Sequence, residues 1–283
     1  MQGRVLVIAG SDSGGGAGIQ ADIKTVTALG GYAMTAITAL TAQDTRGVAG
    51  IHDVPPDFVA AQARVVLADI GADCVKIGML HTPDVIEVVA AVLKAEASGI
   101  PVVLDPVMVA KGGARLLQAD AVERLRETLL PRATVLTPNI PEAEALAGRS
   151  IRDRGDMEAA GLALLARGPD AVLVKGGHLA GEVVCDALVS ADGTRFFESP
   201  RIATSNTHGT GCTLASAIAT GLAQGMALAD SVARARDYVI EAIRSAPGLG
   251  HGHGPLNHAL TVRPFGIQRS GNAHDTSDGG PSA

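Results

Sequence analysis

The sequence predicts an α/β fold, a three-layer α/β/α sandwich with a mostly parallel central sheet. Strand-like and helix-like patterns alternate along most of the 283 residues, which is typical of a layered fold with a parallel sheet. Hydrophobic residues make up 47% of the chain but aromatic residues only 2%. The core must therefore consist of Val, Ile, Leu and Ala, which suits a sheet buried between helices.

The predicted strands are short apolar runs that stop at glycine, proline or a polar residue. They cover residues 4–9, 33–40, 74–79, 102–105, 134–137 and 171–175, and a hairpin formed by 183–189 and 194–198. The pair Asp192-Gly193 supplies the turn of that hairpin, because both residue types favour tight hairpin turns.

The predicted helices carry apolar residues at helical spacing, as Val59, Ala63, Val66 and Ile70 illustrate. They cover residues 19–29, 58–70, 83–97, 119–130, 213–224 and 228–246. With the strands they predict a single domain over residues 1–262. From about Gln268 the chain is polar and rich in Gly, Ser and Asp, so residues 263–283 are expected to form a disordered tail.

Charge and cysteine content narrow the functional classes. The net charge is −6 and no lysine-rich run occurs, so a nucleic-acid-binding surface is not expected. No apolar run is long enough for a membrane span, and no signal sequence is expected before the first strand. The three cysteines, Cys74, Cys185 and Cys212, are widely spaced without a C-x-x-C pair. This spacing predicts neither a zinc site nor a disulfide framework and favours a reducing, cytoplasmic compartment.

The stretch NTHGTGCTL over residues 206–214 contains the strongest functional signal. Gly209 and Gly211 precede an alanine-rich helical run, and the free N–H groups of a helix start favour an anion. Glycine lets the main chain approach that anion closely. Cys212 lies at the same helix start, which is expected to stabilise its thiolate and lower its pKa. An anion site beside such a base predicts phosphoryl transfer to a substrate hydroxyl.

Polar residues at strand ends are the next candidates, because ligands of open α/β sheets bind beyond the carboxyl ends of strands. Asp105 ends one strand, and Asn139 and Glu142 follow the next. Two carboxylates there suit Mg²⁺, with water and phosphates as its other ligands. The alternatives are a turn residue at Asp105 and a first-turn acid at Glu142. Lys175 ends a further strand, where it either meets phosphate as a point charge or is a solvated lysine.

Two features point to a flat substrate. Gln43 follows an apolar strand, and its amide can pair with a heteroaromatic ring edge that carries an amine, unless it is a surface glutamine. The glycine-rich loop over residues 10–18 fails the dinucleotide pattern, because Ile19 stands where its last glycine is needed. That loop is either a tight turn or a flexible substrate-side loop. No metal site is expected at three histidines near the end, His251, His253 and His258.

Seven motifs follow one another in an order that resembles the ribokinase-like superfamily. More narrowly, they resemble the hydroxymethylpyrimidine/phosphomethylpyrimidine kinases of thiamine biosynthesis. The motifs extend over about residues 4–260 and are AGSD (9–12) with GGGAGIQAD (14–22), TALTAQ (38–43), KIGML (76–80), LDPVM (104–108), TPNIPE (137–142), VKGGH (174–178) and NTHGTGCT (206–213). Many superfamily members carry Asp where this chain has Cys212, whereas Cys is usual in the pyrimidine kinases and in some pyridoxal kinases.

The resemblance implies an enzyme that uses ATP and Mg²⁺. It would phosphorylate the 5-hydroxymethyl group of 4-amino-5-hydroxymethyl-2-methylpyrimidine, and then convert the monophosphate to the diphosphate. It also implies a homodimer. A pyridoxal-type vitamin kinase on the same fold is the nearest alternative. A non-catalytic regulatory protein and a dinucleotide-dependent dehydrogenase are more distant ones.

Matching positions in these motifs imply a role for each candidate residue. The substrate side would comprise Gln43 at the pyrimidine edge, Met79 and Val107 against its ring, and Ala17 and Asp22. The ATP side would comprise Lys175, Thr210 and Asn139, with Asp105 and Glu142 at the metal. The catalytic group would comprise Cys212, Gly209 and Gly211.

Overall fold

The computed structural model describes residues 2–110, 112–114, 116–118, 120–263 and 265. Nine strands within these ranges form one sheet: β1 (Arg4–Asp12), β2 (Tyr32–Gln43), β3 (Val48–Asp53), β4 (Cys74–Ile77), β5 (Val102–Leu104), β6 (Val135–Leu136), β7 (Ala171–Val174), β8 (Val183–Ser190) and β9 (Gly193–Pro200). Their spatial order is β3-β2-β1-β4-β5-β6-β7-β8-β9. The pairs from β2 to β7 are parallel, and β3, β8 and β9 join antiparallel at the two sides.

Eight α-helices in the described part of the chain cover the sheet: α1 (Gly18–Ala28), α2 (Pro56–Asp69), α3 (Pro83–Glu96), α4 (Ala121–Thr128), α5 (Ile140–Ala147), α6 (Arg154–Leu165), α7 (Thr210–Ala223) and α8 (Leu228–Arg244). Helices α2 to α6 contribute to one apolar core and α1, α7 and α8 to another. The two cores lie on opposite faces of the sheet, which confirms the predicted three-layer α/β/α sandwich.

Strand β1 shows why its sequence is apolar throughout. Leu6 and Ile8 belong to the core beneath α2 and α3, whereas Val5, Val7 and Ala9 belong to the core beneath α1 and α7. Successive side chains of a strand point to opposite faces, so a strand covered on both sides needs apolar residues at every position.

Three elements were not predicted: β3, α5 and α6. Strand β3 is an edge strand with mostly exposed residues, so no apolar pattern marks it. Helix α5 has only eight residues, which is too short for a periodic signal. Helix α6 contains Gly161, and a Cβ atom there would come 2.5 Å from Cγ2 of Val189. That glycine lowers helix propensity but lets the helix lie close to the sheet.

The carboxyl ends of the parallel strands carry most of the candidate residues. Asp105 directly follows β5, Asn139 begins the segment after β6, and Lys175 directly follows β7. Strand β2 runs three residues beyond its predicted end, so Gln43 is its last residue and pairs with Val48. No helix in the described part of the chain is long and apolar enough to cross a membrane. The expected tail lies outside the described residues, except for positions 263 and 265.

Candidate active site

The start of α7 is the centre of the site. Gly209 caps this helix with a φ of 82°, a left-handed conformation that glycine adopts without strain. A Cβ atom at Gly209 would also collide with the carbonyl oxygen of Gly16. At Gly211 a Cβ atom would lie 3.3 Å from Nζ of Lys175 and 3.5 Å from Oδ2 of Asp105. The fold therefore brings Gly209, Gly211, Lys175 and Asp105 together, as the sequence predicted they should meet.

Lys175 and Asp105 form an ion pair at this helix start. Lys175 Nζ donates to Asp105 Oδ1 at 2.7 Å, and Thr137 Oγ1 donates to the same oxygen at 3.1 Å. Burial opposes the charged ammonium, but Asp105 and Glu142 raise the pKa of Lys175 above its ordinary value. The ammonium is therefore a fixed positive charge next to the free N–H groups of α7, and both features attract an anion.

Asn139 and Glu142 hold each other at the start of α5. Asn139 Oδ1 accepts from the Glu142 backbone N–H at 3.0 Å, and the Glu142 carboxylate accepts from the Asn139 N–H at 2.8 Å. This capping box ties both side chains to backbone groups. Burial raises the pKa of Glu142 to about 7, against the attraction of Lys175.

The donor set at Asp105 and Glu142 fits Mg²⁺ better than a transition metal. No cluster of three or more metal-coordinating side chains occurs among the described residues. Mg²⁺ does not need one, because it commonly binds one or two carboxylates and completes its shell with water and phosphate oxygens. Each carboxylate already has an engaged oxygen, Glu142 in its capping box and Asp105 with Lys175 and Thr137, so both are suited to hold the ion partly through water.

Cys212 is partly exposed in the first turn of α7. Burial of the thiol raises its pKa to about 11, although Lys76 and a hydrogen bond from the Gly18 N–H favour the thiolate. The prediction of a lowered pKa is therefore wrong. The helix start does supply favourable dipoles, but the loss of hydration around the sulfur outweighs them.

The glycine-rich loop after β1 wraps around the carboxylate of Asp12. That carboxylate accepts from Gly14 N at 2.8 Å, Gly16 N at 3.1 Å and Ala17 N at 2.8 Å. It also bonds His208 Nε2 at 2.8 Å. Burial opposes the charge, yet these bonds hold the pKa of Asp12 below its usual value.

The loop is therefore pinned in place, which contradicts the interpretation of a flexible substrate-side loop. Sequence reasoning did not select His208 as a site residue. The histidine precedes Gly209, and its partner Asp12 is 196 positions away. No local pattern could have revealed that pairing.

An apolar patch lies beside the loop. Met79 is buried in a small cluster with Ala39 and Leu116, and Val107 packs against it. The Met79 sulfur lies 2.9 Å from the position that a Cβ atom on Gly10 would take. Met79 and Val107 thus belong to the same apolar patch, and their place against one ring stays a prediction.

Gln43 is joined to the glycine-rich loop through its backbone. Ser13 Oγ donates to the Gln43 carbonyl oxygen at 2.8 Å, and the Gln43 N–H donates to Ser13 Oγ at 2.8 Å. Its side-chain oxygen accepts from Thr41 Oγ1 at 3.1 Å. The side chain is half-buried, so its amide is neither a fully exposed surface group nor a core group.

Asp22 is a buried carboxylate. Its side chain is 0% exposed, and both oxygens accept from Lys76 Nζ at 2.9 Å. Ser216 Oγ donates to Oδ1 at 2.7 Å. The Asp22 carboxylate is thus bonded to protein groups in this structure, and its contact with substrate stays a prediction.

Comparisons with known proteins identify the family of the chain. The sequence model of the phosphomethylpyrimidine kinase family matches residues 12–257. The thiamine biosynthesis bifunctional protein ThiED of Geobacter sulfurreducens is 56% identical over 261 residues, which are 92% of this chain and 53% of that relative. This chain thus spans about half the length of the Geobacter relative.

Two further relatives match over nearly their full length. The hydroxymethylpyrimidine/phosphomethylpyrimidine kinase of Streptomyces coelicolor is 48% identical over 258 residues, covering 91% of this chain and 95% of the relative. An ADP complex of Bacillus subtilis pyridoxal kinase has a TM-score of 0.84 at 36% identity, covering 92% of this chain and 98% of the other. By its sequence and its fold, the chain belongs to the phosphomethylpyrimidine kinase family.

Proposed function

We propose that this chain uses ATP to phosphorylate 4-amino-5-hydroxymethyl-2-methylpyrimidine to its monophosphate, and then the monophosphate to the diphosphate. The observation that carries this proposal is the convergence of three groups that together can bind a phosphate and its counter-ion. The groups are the glycine-capped start of α7, the ammonium of Lys175 and the carboxylate of Asp105, in a chain whose relatives include kinases of this name.

The reaction needs a proton acceptor and groups that stabilise the negative charge of the transferring phosphoryl group. The sulfur of Cys212, as thiolate, accepts the proton of the substrate hydroxyl group while that oxygen forms a bond to the γ-phosphorus. The bond between this phosphorus and the bridging oxygen breaks, and ADP leaves with that electron pair. Because such transition states are loose, positioning and charge stabilisation dominate catalysis.

The anion end supplies that stabilisation. The N–H groups of Gly209 to Cys212 face the terminal phosphate, and Lys175 neutralises its developing charge. Thr210 and Asn139 flank the nucleotide. Bound Mg²⁺ would neutralise further charge on the phosphate oxygens, with Asp105 and Glu142 as its carboxylates.

The ring end orients the pyrimidine. Met79 and Val107 offer an apolar surface for the ring, and the packing of Val107 against the cluster that contains Met79 supports that role. The amide of Gln43 pairs with the ring edge that carries the amine. Ala17, which immediately precedes α1 at the end of the pinned loop, leaves room for the ring.

The test is mass spectrometry of the products formed from the pyrimidine alcohol and Mg-ATP. The expected result is the monophosphate followed by the diphosphate. If neither product forms while the protein is folded, the proposed function is wrong. An ATP-turnover measurement separates any enzyme from a non-catalytic regulatory protein on this fold.

Pyridoxal phosphorylation is the second candidate, because the Bacillus subtilis pyridoxal kinase shares the fold at a TM-score of 0.84. Both alcohols are flat heteroaromatics with a CH₂OH arm. Measuring ADP release with each alcohol at equal concentration separates them, and the pyrimidine is expected to give the higher kcat/KM.

The assembly and compartment are also part of the proposal. A homodimer is expected, and sedimentation of the full chain would test it. The three cysteines are all free thiols, which fits a reducing, cytoplasmic setting. Fractionation of cells that express the chain would test that placement.

A further inference from the structure

Lys76 is a buried charge that the proposed reaction leaves unused. It lies in β4, is 0% exposed and is the largest fully buried side chain among the described residues. Lysine is almost never fully buried unless it is paired. Here the ammonium donates to both oxygens of Asp22 at 2.9 Å. Burial opposes its charge, but Asp22, Cys212 and Asp105 raise the pKa of Lys76.

The position of Lys76 relative to Cys212 follows from two helices that lie side by side. The starts of α1 and α7, with Gly18 and Cys212 in their first turns, lie side by side, because a Cβ atom on Gly209 would collide with the Gly16 carbonyl oxygen. Four residues further along each helix, Asp22 of α1 accepts from Ser216 of α7 at 2.7 Å. Residues four apart lie on the same face of a helix. Along the two paired helices these contacts are therefore separated by one helical turn, or ~5.4 Å.

Lys76 binds Asp22 at the second of these contacts, one helical turn away from Cys212. A Cβ atom on Gly78 would come 2.9 Å from its Nζ atom, which shows that the ammonium extends past β4 toward the ligand-binding end of the sheet. Four charged groups act electrostatically on the Cys212 sulfur. They are Asp22 of α1, Lys76 of β4, Asp105 after β5 and Lys175 after β7.

Among these groups Lys76 is the one that most favours the thiolate. Asp22 and Asp105 disfavour a second negative charge, whereas Lys76 has the largest favourable effect on it. The other cation, Lys175, is bonded to Asp105 and is used at the phosphate in the proposed reaction. Lys76 is enclosed by protein and has no access to a nucleotide.

A purely structural role for the pair does not explain its position. A buried ion pair is weak support for stability, because desolvation of two charges offsets their attraction and apolar residues often replace such pairs without loss. The neighbours of Lys76 in β4, Val75 and Ile77, are both 0% exposed and apolar. An apolar residue at position 76 would suit the strand equally well.

We propose that Lys76 is a positioning residue for phosphoryl transfer: its ammonium, held by Asp22, is the fixed positive charge that favours the thiolate form of Cys212. This inference rests on the proposed function only for the use made of that thiolate. The electrostatic effect on the sulfur is a property of the folded chain and can be measured without turnover.

The test measures the rate at which iodoacetamide alkylates Cys212, from pH 7 to pH 10, in the full chain. The thiolate displaces iodide and forms an S–C bond, so the rate follows the thiolate fraction. Cys185→Ser serves as the common background, because Cys185 is the other partly exposed thiol and Cys74 is buried. Peptide mass spectrometry assigns the alkylated site.

Lys76→Met keeps the length of the side chain and removes its charge. We expect alkylation at a given pH to be about 10–100-fold slower, because an opposite charge within ~4–6 Å commonly moves a pKa by one to three. Lys76→Met combined with Asp22→Asn removes both charges and leaves no unpaired carboxylate. This double variant therefore keeps the inference testable if Lys76→Met alone fails to fold. It is expected to slow alkylation as well, by a smaller factor.

Ser216→Ala is the matched control, since it removes a hydrogen bond from the same group of residues without changing charge. It should alkylate within about threefold of the background. Wild-type alkylation in both Lys76 variants, or equal slowing in Ser216→Ala, would overturn the inference. Turnover adds a second readout: Lys76→Met should lower kcat while the KM for ATP changes little. Absence of any kinase product from the unmodified chain would instead contradict the proposed function, and the alkylation result would still stand.

Discussion

The two ends of the candidate site are built differently. The anion end at the start of α7 is made of buried charges held by short bonds, such as Lys175 to Asp105 at 2.7 Å. The ring end is an apolar patch around Met79 and Val107 with a single half-buried amide, Gln43. Charges fixed in advance lower the cost of reorganisation during reaction, whereas apolar contacts discriminate weakly between similar rings. Changes at the anion end should therefore affect kcat, and changes at the ring end should affect KM.

The largest expected effect is at Cys212. Cys212→Ala should lower kcat by about 10²–10⁴-fold, since general-base assistance contributes that much, while ATP binding persists. Steady-state kinetics and nucleotide titration measure the two quantities. Cys185→Ser changes a thiol on β8 and is the control. Wild-type turnover in Cys212→Ala would exclude the sulfur as the base.

Gly209→Ala tests whether the shape of the anion end matters as much as its charge. The left-handed conformation at φ 82° costs a residue with a Cβ about 1–2 kcal/mol, and the methyl group would also collide with Gly16. We expect a lower Tm and a kcat that is about 10-fold lower. Gly99→Ala, where a Cβ atom would meet nothing within 4 Å, should match the wild type. Equal behaviour of the two variants would show that the helix start tolerates distortion.

At the ring end, Gln43→Ala should raise the KM for the pyrimidine about 10-fold and the KM for ATP much less, because a paired polar group is lost. Gln43→Glu keeps the shape but loses the NH₂ donors, and so reports whether donation to the ring is needed. An equal rise in both KM values would place Gln43 outside the pyrimidine contact and would blur the distinction between the two ends.

The smallest effect concerns the segment that supports the anion end from behind. The His258 ring donates to Thr213 Oγ1 at 2.9 Å, because that hydroxyl already donates to the Gly209 carbonyl. Burial lowers the pKa of His258 to about 4. Below its unfolded pKa of about 6.5 the unfolded chain binds more protons than the folded one. This histidine therefore makes stability fall as the pH drops from about 6.5 to about 4.

His258→Gln should reduce that fall by an amount of the order of 1–3 kcal/mol. Denaturant unfolding at several pH values measures it. His253→Gln changes an exposed histidine of the same segment and should follow the wild type. A loss of stability in the His258 variant that is the same at every pH would indicate that the ring acts through packing alone.

The sequence predicted most of the fold because the parallel strands are apolar runs and their helices are periodic. It missed β3 and α6, whose places depend on contacts with distant residues such as Val189. At the site, residues at strand ends such as Asp105 and Lys175 were predictable, because a parallel sheet brings its carboxyl ends together.

The buried supports of the site were not predictable from spacing. A lysine between Val75 and Ile77 in an apolar strand is a visible anomaly, but its partner Asp22 is 54 positions away. The raised pKa of Cys212 was missed for a related reason. A helix start can be recognised in sequence, whereas the desolvation around one sulfur depends on packing from several elements.

The carboxylate of Asp12 has a consequence for the glycines that surround it. The N–H groups of Gly14, Gly16 and Ala17 all donate to that carboxylate. This turn is therefore an anion-binding site that is already occupied by a side chain of the same chain. A turn that already holds its own negative charge repels a second one. Abundant glycine after a first strand therefore need not mark the binding site of a nucleotide, and phosphate is expected instead at the adjoining start of α7, which no carboxylate of this turn occupies.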